Sequence, residues 1–117
     1  MSGHKRAVES YFEGFRQSDH PGILGLLTDD VIWDLPGFKH LQGKEAFDGE
    51  IENPDFVGRP RLIIDRLIEE GDTVIAIGTG EGTHREHGAF AFAYCDAFTF
   101  AGDLIARVGS YVVPIPG

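Results

Sequence analysis

The chain has 117 residues, with 10 Lys plus Arg against 19 Asp plus Glu and a formal charge of −9. That length fits one domain over residues 1–117, and the acidity argues against nucleic acid and anionic membrane surfaces as partners. No apolar run approaches the roughly 20 residues of a membrane helix, while 16 Gly and 9 Phe point to sharply bent strands around an aromatic interior. Cys95 stands alone and Met1–Arg6 lacks the apolar run of a secretory signal, so a reducing cytoplasm is the expected compartment.

From His4 to Ser18, Val8, Tyr11, Phe12 and Phe15 recur at three- and four-residue spacing, which predicts an amphipathic helix. Asp19 follows as an N-cap and Pro21 as a first-turn residue of a second short helix carrying Ile23, Leu24, Leu26 and Leu27. Asp30–Leu35 reads as a short strand ended by Pro36-Gly37, Lys44–Ile51 as a third helix, and Glu52–Pro60 as a loop. Then the texture turns to strands: Arg61–Glu70, Thr73–His84, Ala89–Phe100 and about Leu104–Val113, separated by glycine-containing turns. Helices first and an antiparallel meander last predict an α+β fold, with helices on one face of a curved sheet enclosing a pocket.

Between Ala89 and Phe100 the period of two is clean. One face holds Phe90, Phe92, Tyr94, Asp96, Phe98 and Phe100; the other holds Ala89, Ala91, Ala93, Cys95, Ala97 and Thr99. Five rings must be buried, so Asp96 is carried into apolar surroundings, where burial raises a carboxyl pKa and keeps the proton near neutrality. A protonated carboxyl can donate to a developing oxyanion; the plainer alternative is a structural bond to a helix end or to Arg107. The small-residue face suits close approach by a second copy, predicting a homodimer through the outer sheet face.

The run Asp19–Asp30, the segment Val31-Ile-Trp-Asp-Leu-Pro-Gly37, Tyr11 on the first helix and the ending Cys95–Arg107 with Tyr111 resemble the SnoaL-like and ketosteroid-isomerase-like proteins of the nuclear-transport-factor-2-like superfamily. The resemblance implies a cone-shaped curved antiparallel sheet with three N-terminal helices on its concave face. It also implies an oxyanion hole formed by a helix Tyr and a protonated strand Asp, matched here by Tyr11 and Asp96. The isomerase base directly precedes a Pro, where this chain has Leu35; the nearest carboxylate, Asp34, is one residue early and therefore on the opposite strand face unless a bulge intervenes.

The expected activity is that of a small enzyme needing no cofactor and no metal, an isomerase, cyclase or lyase acting by acid–base chemistry on an apolar carbonyl compound such as a polyketide or steroid-like molecule. Asp96 and Tyr11 would hold the oxygen, Asp34 or His40 would move the proton, and Trp33, Leu35, Phe92, Tyr94 and Phe98 would line the pocket. A non-catalytic binding protein or dimeric scaffold of the same fold is the alternative. His84-Arg-Glu-His87 falls in a hairpin turn without a third ligand and does not read as a metal site. Gly78, Gly80 and Gly82 alternate on one strand face without leading into a helix, so they suggest sheet curvature or close approach rather than a phosphate loop.

Overall fold

A computed structural model describes residues 3–116; of the expected domain span, positions 1, 2 and 117 lie outside it. Helix α1 (Gly3–Gln17) forms where the apolar stripe predicts, and it buries Val8, Tyr11 and Phe12. Gly14 is buried too, because any Cβ there would strike the Ile23 side chain of α2 (His20–Leu24), so the two helices meet closely at this point. The Asp19 carboxylate caps α2 by accepting the Gly22 N–H at 3.0 Å.

Helix α2 is shorter than the sequence suggests. Leu27, expected on it, instead opens strand β1 (Leu27–Leu35) by pairing with Ile105, and the Leu26 carbonyl accepts the Ile105 N–H at 2.8 Å. Sheet pairing thus captures the chain before a second helical turn can form. After the Pro36–Phe38 turn comes β2 (Lys39–Gln42), an edge strand without apolar alternation that periodicity did not reveal. Helix α3 (Lys44–Ile51) then buries Phe47 and Ile51.

Strands β3 (Arg61–Glu70), β4 (Thr73–His84), β5 (Gly88–Ala101) and β6 (Leu104–Ile115) complete a six-stranded curved sheet in the order β2-β1-β6-β5-β4-β3. The expectation of a wholly antiparallel sheet is corrected at one place, since β1 runs parallel to β6. No hairpin joins those two strands, so no turn geometry imposes the antiparallel sense there. Helices and inner sheet face enclose Val8, Phe12, Ile23, Phe47, Val74, Phe98, Ile105 and Val108, all 3% exposed or less.

The β5 alternation holds from Tyr94 to Phe100, where Tyr94, Asp96, Phe98 and Phe100 are buried. Towards the β4–β5 turn it weakens: Phe92 is half-buried and Phe90 is 37% exposed, because the strand outruns the helical layer and the Phe90 ring is covered by Phe56 of the Glu52–Pro60 loop, at 5.6 Å, and by its strand neighbour Phe92, at 5.9 Å. Opposite these rings stand the three alternating glycines. Gly78 pairs with Tyr94, Gly80 with Phe92 and Gly82 with Phe90, and a Cβ on any of them would strike its partner's ring. The rings lie down across β4, leaving open space between sheet and helices. The Tyr94 hydroxyl reaches over Gly78 and donates to the Ile63 carbonyl on β3 at 2.7 Å.

Candidate active site

That space is a cavity of about 610 Å³ between α1, the inner sheet face and the Glu52–Pro60 loop. Its walls are apolar: Phe12 and Phe15 from α1, Trp33 and Leu35 from β1, Phe90 and Phe92 from β5, Val112 from β6. Trp33 stacks on Phe47 with centroids 4.5 Å apart, which fixes the indole in the wall.

Asp96 and Ser110 are the buried polar side chains of the inner face, 8% and 5% exposed. They are cross-strand partners on β5 and β6. The Trp33 indole N–H donates to the Ser110 hydroxyl oxygen at 2.9 Å, which leaves the hydroxyl proton free to turn towards Asp96. Burial pushes the Asp96 carboxyl up to about 7, against a smaller downward pull from hydrogen bonding with Ser110. The predicted alternative partner, Arg107, is engaged elsewhere.

Tyr11 enters from α1 and is 2% exposed. Burial first, and the charge of Asp96 second, hold its phenol well above its ordinary range, so it stays a proton donor at any physiological pH. Its hydroxyl has no hydrogen-bond partner among the described residues and remains open to the cavity. A polar atom left so is suited to a ligand oxygen. The Tyr94 ring also lines the cavity, but its hydroxyl is committed to Ile63.

The structure therefore brings Tyr11, Asp96, Trp33, Leu35, Phe92 and Tyr94 together around one cavity. Three of the expected site residues fall elsewhere. Phe98 is fully buried in the core under α1, its ring 5.0 Å from that of Tyr11, and does not reach the cavity. Asp34 and His40 lie on the other side of β1, because Trp33 and Leu35 face inward and alternation turns Asp34 out. There Asp34 accepts from His40 Nδ1 at 2.5 Å and is ion-paired with Arg107. The His40 hydrogen bond first, and Arg107 after it, hold the Asp34 carboxyl below its usual range, so it is a fixed anion rather than a proton shuttle.

Ser110 went unrecognised in the sequence. Counting outward from the Ala101–Asp103 turn puts Gly109 opposite Asp96; a bulge between Thr99 and Phe100 shifts the ladder by one and brings Ser110 there instead. The rim was equally illegible. Glu50 and Glu52 of the rim are ion-paired with Lys39 at 2.8 Å and His20 at 2.5 Å. Among the described residues no group of His, Cys, Asp and Glu is arranged to hold a metal ion, and no helix is long and apolar enough to cross a membrane.

Residues 8–108 match the model of the SnoaL-like domain. No curated protein matches the sequence. Among solved structures, an NTF2-like protein of unknown function from Burkholderia pseudomallei superposes with a TM-score of 0.86 at 23% identity, covering 94% of this chain and 90% of its own. An M. tuberculosis LEH-like epoxide hydrolase superposes at 0.82 with 20% identity, covering 95% and 83%. A Pseudomonas putida protein assigned by name as a polyketide cyclase reaches 0.81 with 27% identity, covering 95% and 91%.

Proposed function

Because the chain belongs to the SnoaL-like domain family, we propose that it is a single-domain acid–base enzyme acting on an apolar carbonyl compound of polyketide or steroid-like character. One observation carries this reading: a carboxyl 8% exposed, with its pKa near 7, at the inner wall of an apolar cavity that also presents the unpartnered Tyr11 hydroxyl. Protonated Asp96 and Tyr11 donate to the carbonyl oxygen and stabilise the charge that develops on it. The apolar walls around the two donors lower the local dielectric and strengthen both bonds. With Asp34 facing away, Asp96 acts as acid and base in turn: it gives its proton to the carbonyl oxygen, and the carboxylate left behind takes the proton from the adjacent carbon, so the acid is restored and the enol remains. The Trp33–Ser110 bond holds the group that tunes it.

The test is turnover of a panel of cyclic enones and β-dicarbonyl compounds by wild type, Asp96→Asn and Tyr11→Phe. Loss of about 10²-fold or more in Asp96→Asn and about tenfold in Tyr11→Phe is expected; equal rates for all three on a compound that turns over sink the oxyanion assignment. A second reading, a non-catalytic binder of the same ligands, is favoured by Leu35 lining the cavity where the isomerase-like proteins carry a base. No turnover by wild type, with ligand binding weakened in Asp96→Asn, would select it.

The working unit in this proposal is a cytoplasmic homodimer closed through the outer sheet face. Support comes from shape: the small residues Ala91, Ala93 and Cys95 of β5 stand opposite Ile115, Val113 and Tyr111 of β6, of which Val113 is 62% exposed. In a two-fold arrangement the large side chains of one copy fit the small strip of the other.

A further inference from the structure

Every residue of the Glu52–Pro60 loop except Asp55 lines the cavity, so the loop is its cover. The loop is tied down at its two ends by different chemistry. At the far end the ties are backbone bonds to the β4–β5 turn: the Val57 N–H donates to the Thr83 carbonyl at 2.8 Å and the Arg85 N–H to the Asp55 carbonyl at 2.7 Å. At the α3 end the tie is an imidazole. His20, on α2, donates from Nδ1 to Asp48 at 2.6 Å and from Nε2 to Glu52 at 2.5 Å; Asn53 adds only the long contacts of its amide to Glu50, at 3.3 and 3.4 Å. Both ring nitrogens can donate only in the imidazolium, so the arrangement is complete only while His20 carries its second proton. Among the charged side chains around it, Asp48 and Glu52 act on the ring; the neighbouring Asp19 carboxylate is turned to the Gly22 N–H, and Glu13 and Arg16 of α1 pair with each other.

The neutral ring has one N–H left and its bare nitrogen faces a carboxylate, so one of the two carboxylates must turn away. Asp48 sits inside α3, which Phe47 and Ile51 anchor in the core; Glu52 is exposed, at the helix end where the loop begins, and is the one free to leave. We propose that the Glu52–Pro60 loop is a pH-gated cover of the cavity, clipped at its α3 end by protonated His20 and released there when His20 loses that proton. This rests on the cavity being the ligand site, as argued above. The clip stands partly in solvent, so its release alters the rate of ligand passage modestly. Asp48 first and Glu52 second raise the His20 pKa, so the clip holds through the ordinary histidine range and opens on the alkaline side of it.

The experiment follows association of the neutral fluorophore N-phenyl-1-naphthylamine with the full chain by stopped-flow fluorescence at pH 6 and pH 9. At each pH the variants are compared with wild type, so that ionisation of Asp96, common to all of them, cancels. At pH 6 His20→Gln, whose amide cannot carry the charge, should bind the fluorophore about threefold faster than wild type; at pH 9 the two should agree. Glu52→Gln should match wild type at pH 6 and stay about threefold slower at pH 9, because its amide can donate to the neutral ring where the carboxylate cannot. His40→Gln, on the other side of β1, should follow wild type at both. Equal rates for wild type and His20→Gln at pH 6, a gap between them that persists at pH 9, or a Glu52→Gln that speeds up with wild type overturns the clip, as does His40→Gln behaving like His20→Gln. Failure of the fluorophore to bind any of these proteins overturns the cavity assignment itself, and this inference with it.

Discussion

At the scale of single residues, a carboxyl that keeps its proton near neutrality costs native stability as the medium turns alkaline. Asp96 is held at about 7 against an ordinary 3.8. Below about pH 4 both native and unfolded chains hold the proton and the group contributes nothing. Between 4 and 7 only the unfolded chain ionises, so stability falls as pH rises; above 7 the loss is complete, at most roughly 4 kcal/mol. Asp96→Asn should therefore be more stable than wild type at pH 8, by about 2 kcal/mol, and nearly equal to it at pH 4 in urea titrations. A larger gap at pH 4 than at pH 8 would contradict the burial argument. Ser110→Ala removes the pull that lowers the Asp96 carboxyl, so the carboxyl resonance in an NMR titration should move to a midpoint above that of wild type.

At the scale of elements, the glycines of β4 and the contact between α2 and α3 are the positions where one side chain decides the arrangement. Any Cβ at Gly80 collides with the Phe92 ring, so Gly80→Ala should cost about 1–3 kcal/mol and alter the near-ultraviolet circular dichroism as the ring is pushed into the cavity. His20, at the start of α2, bonds Asp48 at 2.6 Å and Glu52 at 2.5 Å on and just beyond α3. Asp48 first and Glu52 second raise its pKa, so its stabilising effect is whole below the ordinary histidine range and fades as pH climbs through the raised value. Thermal unfolding of His20→Ala should accordingly differ from wild type more at pH 5.5 than at pH 9. Asp34 has the opposite sign: its pairing with His40 and Arg107 is kept above the ordinary carboxylate range and lost as pH falls through its lowered value.

At the scale of the whole molecule, the charge of −9 is carried on the outside while the sheet presents two unlike faces. The inner face is closed by helices around the cavity. The outer face leaves Ile63, Ile68, Tyr111, Val113 and Ile115 at 40% exposure or more, an apolar patch that favours association. A homodimer should run at twice the chain mass in light scattering after gel filtration, and Val113→Glu should shift it to the monomer while leaving the cavity's ligand binding intact; an unshifted mass would place the contact elsewhere.

Helix α3 and strands β3 and β4 have the bounds read from the sequence, α1 and β5 differ from theirs by a residue at each end, and β6 runs two residues further. These elements are legible because helical and strand periodicities repeat within each segment and depend only on which residues must leave water. Asp96 was legible for the same reason, its burial following from the rings two positions to either side. The outward turn of Asp34 followed from alternation too. What remained open was long-range. The parallel seating of β1 on β6 joins residues far apart in the chain, and the bulge that puts Ser110 rather than Gly109 beside Asp96 leaves no mark in the residue pattern. Phe98, identical in pattern to Phe92, became core because α1 lies over one end of β5 and not the other. The sequence by itself determined which side chains share a face of their element and which of those faces turns inward. Tertiary structure alone decided which buried face meets which, because register and layer overlap are set by packing between segments that carry no local record of one another.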